Sequence, residues 1–186
     1  MARLIIRDAR LAFPDVFEAT QYQGTGPWQY RSTFLIAPEN PCKAEIDAAI
    51  KEVATAKWGA KAGAILPEIL IDKKACCFID GNRRTYNGYA GNWALTATRN
   101  QDDGRPMVVD RSKNPLSAKD GKIYSGAWVN GIVELWAQDN NWGKAIRATL
   151  VTVQFVKDGE SFGGAAPASA EGLDDLGYDD SDDDLL

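Results

Sequence analysis

The chain is 186 residues long, with 45% apolar residues, 21 Lys and Arg against 26 Asp and Glu, and no histidine. Such a length suits one domain with appendages and can bury a core, while the lack of histidine removes the usual general base and the commonest metal ligand. The net charge of −5 is unevenly spread: residues 1–170 carry +3, and the last sixteen, EGLDDLGYDDSDDDLL, carry −8.

In chain order, MARLIIRDAR is too charged and too short in its apolar run for a signal peptide, and no stretch reaches the ~20 apolar residues of a membrane helix. A cytoplasmic protein with no membrane partner is expected. RLIIRDARLAF (3–13) alternates and is rich in β-formers, so it reads as a strand ended by Pro14; FEATQYQGTGPW is a loop. WQYRSTFLIA (28–37) is a second strand, with Trp28, Tyr30, Ser32, Phe34 and Ile36 on one face and Gln29, Arg31, Thr33 and Leu35 on the other. Asn40-Pro41 has the form of a helix cap followed by proline at the first helical position. Ile46, Ile50, Val53 and Ala54 then recur at helical spacing, giving one amphipathic helix over about 41–58 that stops near Gly59.

A loop follows, then strands at 76–80, 92–98, 106–110, 123–138 and 144–156, with 139–143 as a hairpin loop of about five residues. Gly126 and Gly131 suggest bulges or bends, which a small barrel needs to curl. Short, bent strands with one helix predict a mainly β fold, a compact antiparallel barrel over 1–157. Residues 158–170, rich in Gly, Ala, Pro and Ser, read as a flexible linker. The acidic segment 171–186 cannot bury enough apolar surface to fold alone and reads as a disordered tail.

Signals for catalysis fail on chemistry. Gly159-Glu160-Ser161-Phe162-Gly163 has the spacing of a nucleophile elbow, but no histidine exists to activate the serine. Gly24-Thr25-Gly26 lacks the third glycine and following helix of a dinucleotide loop, and Gly143-Lys144 is not followed by Ser or Thr. Cys42, Cys76 and Cys77 are an odd set with one adjacent pair and no CxxC spacing, which favours reduced thiols over disulfides or a metal site. No catalytic residue, metal or cofactor is expected.

Positive charge interleaved with aromatic rings remains. KKACCFIDGNRRTYNGYAGNWALTATRN (73–100) holds Lys73, Lys74, Arg83, Arg84 and Arg99, with Tyr86 and Tyr89 in a Gly- and Asn-rich stretch that reads as a surface loop. Charge along a backbone and rings against bases are the two forces that hold single strands. Arg31 projects from a strand face of the kind that carries such grooves, Arg111 extends the basic surface, and Trp142 sits in a hairpin loop. An arginine pair is as often plain solvated surface, and Trp93, Trp128 and Trp136 read as core because each lies among apolar residues. The tail gains a role as a tethered polyanion that competes with nucleic acid for the same cations. Asp179, Asp180, Asp182, Asp183 and Asp184, with Leu185 and Leu186 as an apolar handle, are the segment expected to meet a partner protein.

The runs TYNGYAGNWALTATRN…GRPMVVD and IYSGAWVNGIVELWAQDNNWGKAIRATLVTVQFVKDGESFGG resemble a phage family of single-stranded DNA-binding proteins, as do ARLAFPDVFEA and the strand–helix unit at 28–58. The resemblance implies an oligonucleotide-binding (OB) fold, sequence-independent binding of single-stranded DNA in phage replication, recombination or repair inside an infected bacterium, and contacts between the acidic tail and replication or recombination proteins. Acidic tails of such binders end in an aromatic residue or Pro-Phe; this one ends in Leu185-Leu186. Association with further copies of the chain stays open. The rival reading is a protein-interaction module, such as a recombination mediator or virion accessory, that does not touch DNA.

Overall fold

The structure is a computed structural model that describes residues 1–162. The expected tail and most of the expected linker lie outside the described residues. Seven strands and a broken helical run make up the rest: β1 (Ala2–Gln21), β2 (Trp28–Ile36), α1 (Cys42–Trp58), α2 (Ala62–Ile71), β3 (Phe78–Asp80), β4 (Trp93–Asn100), β5 (Met107–Val109), β6 (Trp128–Asn140) and β7 (Gly143–Lys157). No described helix is long and apolar enough to cross a membrane.

Five strands close into a ring. β1 pairs with β2, β2 with β4, β4 with β7, β7 with β6, and β6 returns to β1. A mainly β barrel of the OB type is therefore what the chain forms, with β3 added to β4 and β5 to β7. The ring is possible because β1 is twenty residues long and serves two neighbours. Its first half pairs with β6 and its second half with β2. The strand bends between them, with Asp8 and Phe13 at φ of 55° and 50° and register shifts at both places. Pro14 does not end the strand as expected. It falls inside the shift between Ala12 and Asp15, where no ladder N–H is needed.

The helix over 42–58 forms as the spacing predicts. Asn40 caps it, its side-chain oxygen accepting the Cys42 N–H at 2.9 Å, and Ile46, Ile50, Val53 and Ala54 are buried. The helical run does not stop at Gly59, however. Gly59 adopts φ 54° and turns the chain into α2, which keeps Pro67 in its interior. Gly63 and Pro67 look like breakers in the sequence, yet the Ile- and Leu-rich segment gains burial for Ala62 and Ile69. The β6–β7 hairpin is tighter than expected, with Asn140 paired to Gly143 across a two-residue turn, Asn141-Trp142. Gly126 lies before β6 rather than within it.

Fully buried Ile6, Leu11, Phe34, Leu95, Leu135, Ile146 and Leu150 form the centre of the core. Gly131 is needed there: a Cβ would sit 2.5 Å from the Phe34 ring. Asp158–Phe162, expected as the start of a flexible linker, instead lies on the barrel. Arg10 donates to the carbonyls of Gly126 and Glu160, the Gly159 N–H donates to the Tyr124 hydroxyl at 3.0 Å, and Phe162 N–H donates to the Ser125 carbonyl at 3.1 Å.

Candidate nucleic-acid interface

Alternation along β2 and β4 places Gln29, Arg31 and Thr33 beside Asn100, Thr98 and Thr96 on one face, in direct cross-strand register. Thr98 also pairs with Thr149 of β7. Together they form the polar floor of an open groove of about 940 Å³. The Thr33 and Thr96 hydroxyls bond each other at 3.0 Å, and Gln29 donates to the Asn100 side-chain carbonyl at 2.9 Å. The β1–β2 connection contributes Tyr22 and Pro27, and the β6–β7 turn contributes Trp142. Strands two and three of the barrel and the loops between strands one and two and four and five are the parts of an OB barrel that hold oligonucleotides and oligosaccharides.

Five cations line the groove: Arg31, Lys73, Arg84, Arg99 and Arg147, against the carboxylates of Asp15 and Asp103. They differ in what they already hold. Arg99 donates to the carbonyls of Asp103 and Gly104 at 2.9 Å, and Arg147 to the Lys74 carbonyl at 2.8 Å. The side chains of Arg31, Lys73 and Arg84 make no hydrogen bond or ion pair with any described residue. Those three are the charges available to a ligand.

The rings come from three places. Phe13 and Tyr22 come from β1 and the turn after it, Tyr86 and Tyr89 from the loop at 84–90, and Trp136 and Trp142 from the β6–β7 hairpin. Trp142 is 91% exposed and Tyr86 48%. The loop bearing Tyr86 is held shut at its base. The Gly81 N–H donates to the Asn92 carbonyl at 2.7 Å, and a Cβ at Gly81 would stand 2.1 Å from the Tyr89 carbonyl oxygen.

Several expected site residues are buried or committed to other contacts, among them Tyr89, which does line the groove. Tyr89 is 4% exposed. Its ring supports Phe13 and Tyr86 from behind, at 6.2 and 5.3 Å between centroids. Burial raises its phenol pKa, and it cannot present a face to a base. Arg83 caps the end of α2, donating to the carbonyls of Leu70 and Ile71, where a cation meets the negative end of the helix dipole. Arg111 donates to the Val156 carbonyl at 2.7 Å, and neither it nor Lys74 lines the groove. Trp136, read as core, is a groove residue. Trp93 and Trp128 do pack against the body, each under a lysine or arginine. Phe13, Tyr22, Gln29, Asn100 and Arg147 were not foreseen. Alternation past Ile146 could have flagged Arg147; nothing local marks Phe13, whose placement depends on the bend in β1. Cys76 and Cys77 also line the groove, and burial pushes both thiols up, so they are neutral there. No cluster of potential metal ligands occurs among the described residues.

Comparison with known proteins bears on the fold and the family. A solved structure described as the single-stranded DNA-binding protein of bacteriophage Enc34 in complex with ssDNA superposes with a TM-score of 0.72, at 23% identity, covering 87% of this chain and 89% of that one. The single-stranded DNA-binding protein gp2.5 of bacteriophage T7 gives 0.58 at 16% identity, covering 91% and 99%. These two likenesses concern the fold. A curated relative, "Putative protein p50" of Acyrthosiphon pisum secondary endosymbiont phage 1, is 43% identical over 176 residues, which is 94% of each chain. The family model described as "Enterobacter phage Enc34, ssDNA-binding protein" matches residues 2–186. Matched over nearly its whole length, the chain belongs to that family of phage single-stranded DNA-binding proteins.

Proposed function

We propose that this chain holds single-stranded DNA in the groove, without base-sequence preference and without catalysis, and so protects single strands in phage replication, recombination or repair in the cytoplasm of an infected host. One observation carries the reading: three cationic side chains with no partner among the described residues stand among exposed aromatic rings in one open groove. Arg31, Lys73 and Arg84 would meet phosphates, and Tyr86, Phe13 and Trp142 would stack on bases, which every base tolerates because every base has a π-face. Arg99 and Arg147 shape the floor and add to its field.

The acidic tail competes for the same groove. Phe162 supports this: its carbonyl accepts from the Asn87 side chain at 2.7 Å, within the loop that carries Arg84 and Tyr86. The chain therefore leaves the barrel beside the groove, and eight carboxylates follow within 24 residues. Once displaced by a long strand, the Asp179–Asp184 carboxylates with Leu185 and Leu186 are free to engage a replication or recombination protein. A gel shift comparing single- and double-stranded oligonucleotides, for the full chain and for a chain ending at residue 170, tests both ideas. Preference for the single strand, and tighter binding by the shortened chain at low salt, are the expected results. Equal affinities with and without the tail would end the competition idea. No binding of either oligonucleotide, and no tryptophan quenching, would turn the assignment to a protein-interaction module.

A further inference from the structure

Beyond the Phe13–Tyr86 pair lies a second cavity of about 250 Å³. Phe13 and Tyr86 line both it and the groove, so the two spaces share a partition of exposed rings, set edge to face at 5.0 Å and 77°. We propose that this side pocket is a nucleobase subsite, taking one unpaired base from the strand that lies in the groove. The proposal rests on the groove being the DNA site.

Three features argue for it. Phe13 is a non-glycine residue at φ 50°, a conformation L-residues avoid and which, when held in place, gathers at functional sites. Its N–H donates to the Ser125 hydroxyl at 3.2 Å, which keeps the bend and leaves the ring 42% exposed although Leu11 and Ala12 before it are buried. The strain thus serves to stand an aromatic ring at the boundary of two cavities. Second, the end wall is Phe162, and it is fixed. Arg10 lies over its ring at 4.3 Å, its main chain bonds Ser125 and Asn87, and Gly88 approaches so closely that a Cβ would stand 2.6 Å from the ring. Third, among the described residues the lining holds three rings with the short neutral side chains of Thr85, Asn87 and Ser125, and no charged residue. Such a lining suits a flat heterocycle with polar edges and disfavours a phosphate or an aspartate of the tail. The volume is just below that of drug-sized ligand sites, in keeping with a single base.

The test pairs a missing base with a missing wall. An oligothymidine carrying one abasic residue, moved stepwise along the strand, is titrated against the full chain, Phe162→Ala and Thr85→Trp. Thr85 is exposed in its loop, so Thr85→Trp fills the pocket while leaving Phe162 and its bonds in place. In the native chain one position near the end of the bound segment should lose about five-fold or more when its base is removed. In both variants the loss at that position should vanish, while losses at groove positions persist. Identical abasic profiles in all three proteins would overturn the proposal. A native chain that binds no oligonucleotide at all would instead remove the groove reading itself.

Discussion

The partition of the groove cations into committed and uncommitted sets makes a quantitative prediction. For single strands, log K falls with log salt by about 0.7 for each phosphate neutralised. If only Arg31, Lys73 and Arg84 meet phosphates, the slope should be about −2; if Arg99 and Arg147 also do, it approaches about −3.5. Between 50 and 200 mM salt those slopes correspond to roughly 20-fold and 130-fold losses of affinity. The double variant Arg31→Gln/Arg84→Gln should flatten the slope by about 1.4. Arg83→Gln and Arg111→Gln, whose guanidiniums are bound to Ile71 and Val156 carbonyls away from the groove, should leave it unchanged. Fluorescence anisotropy of a labelled oligothymidine, titrated at four or five salt concentrations for each protein, reads the slopes. An unaltered slope in the double variant, or an equal flattening in Arg83→Gln, would refute the division of the cations argued above.

Two tyrosines three residues apart should behave in opposite ways. Tyr86→Ala should weaken single-strand binding by about 1–3 kcal/mol with little change in melting temperature. Tyr89→Ala, at a site 4% exposed, should chiefly destabilise the fold, by about 3 kcal/mol in a denaturant titration. Gly81→Ala would force a methyl into the Tyr89 and Asn92 carbonyls, and should cost about 1–3 kcal/mol of stability and loosen the Tyr86 loop, seen as faster amide exchange over 84–92.

The strands and the first helix were legible because their information is local. Alternation in WQYRSTFLIA puts Tyr30, Ser32, Phe34 and Ile36 inward, and the i, i+4 recurrence of Ile46 and Ile50 marks the buried face of the helix; Trp28 departs from the pattern by being exposed, and Thr33 and Leu35 by being buried. What was not legible depends on distant partners. Pro14 ends an isolated strand, but here it rides in a bulge because β6 and β2 grip β1 on either side of it. Pro67 breaks a helix in solution, yet α2 persists because the protein body offers burial. The basic and aromatic character of 73–100 was visible, and Lys73, Arg84 and Tyr86 do line the groove. Which of its members faced a carbonyl was not, since Arg83 and Arg84 are neighbours in sequence and differ only in what lies within reach of each guanidinium. Phe162 was read as linker because glycine and alanine follow it; its place is set by Arg10 and Gly88, each more than seventy residues away.

The ring of strands has one thin seam. Where β4 meets β7 the ladder is a single residue pair, Thr98 with Thr149, while the other four joints run over six to thirteen. Those same two threonines lie on the groove floor. A ligand stretched across them would rivet the barrel at its weakest joint, so occupancy and mechanical integrity become one quantity: loading the protein should raise its melting temperature and quieten amide exchange first along that seam.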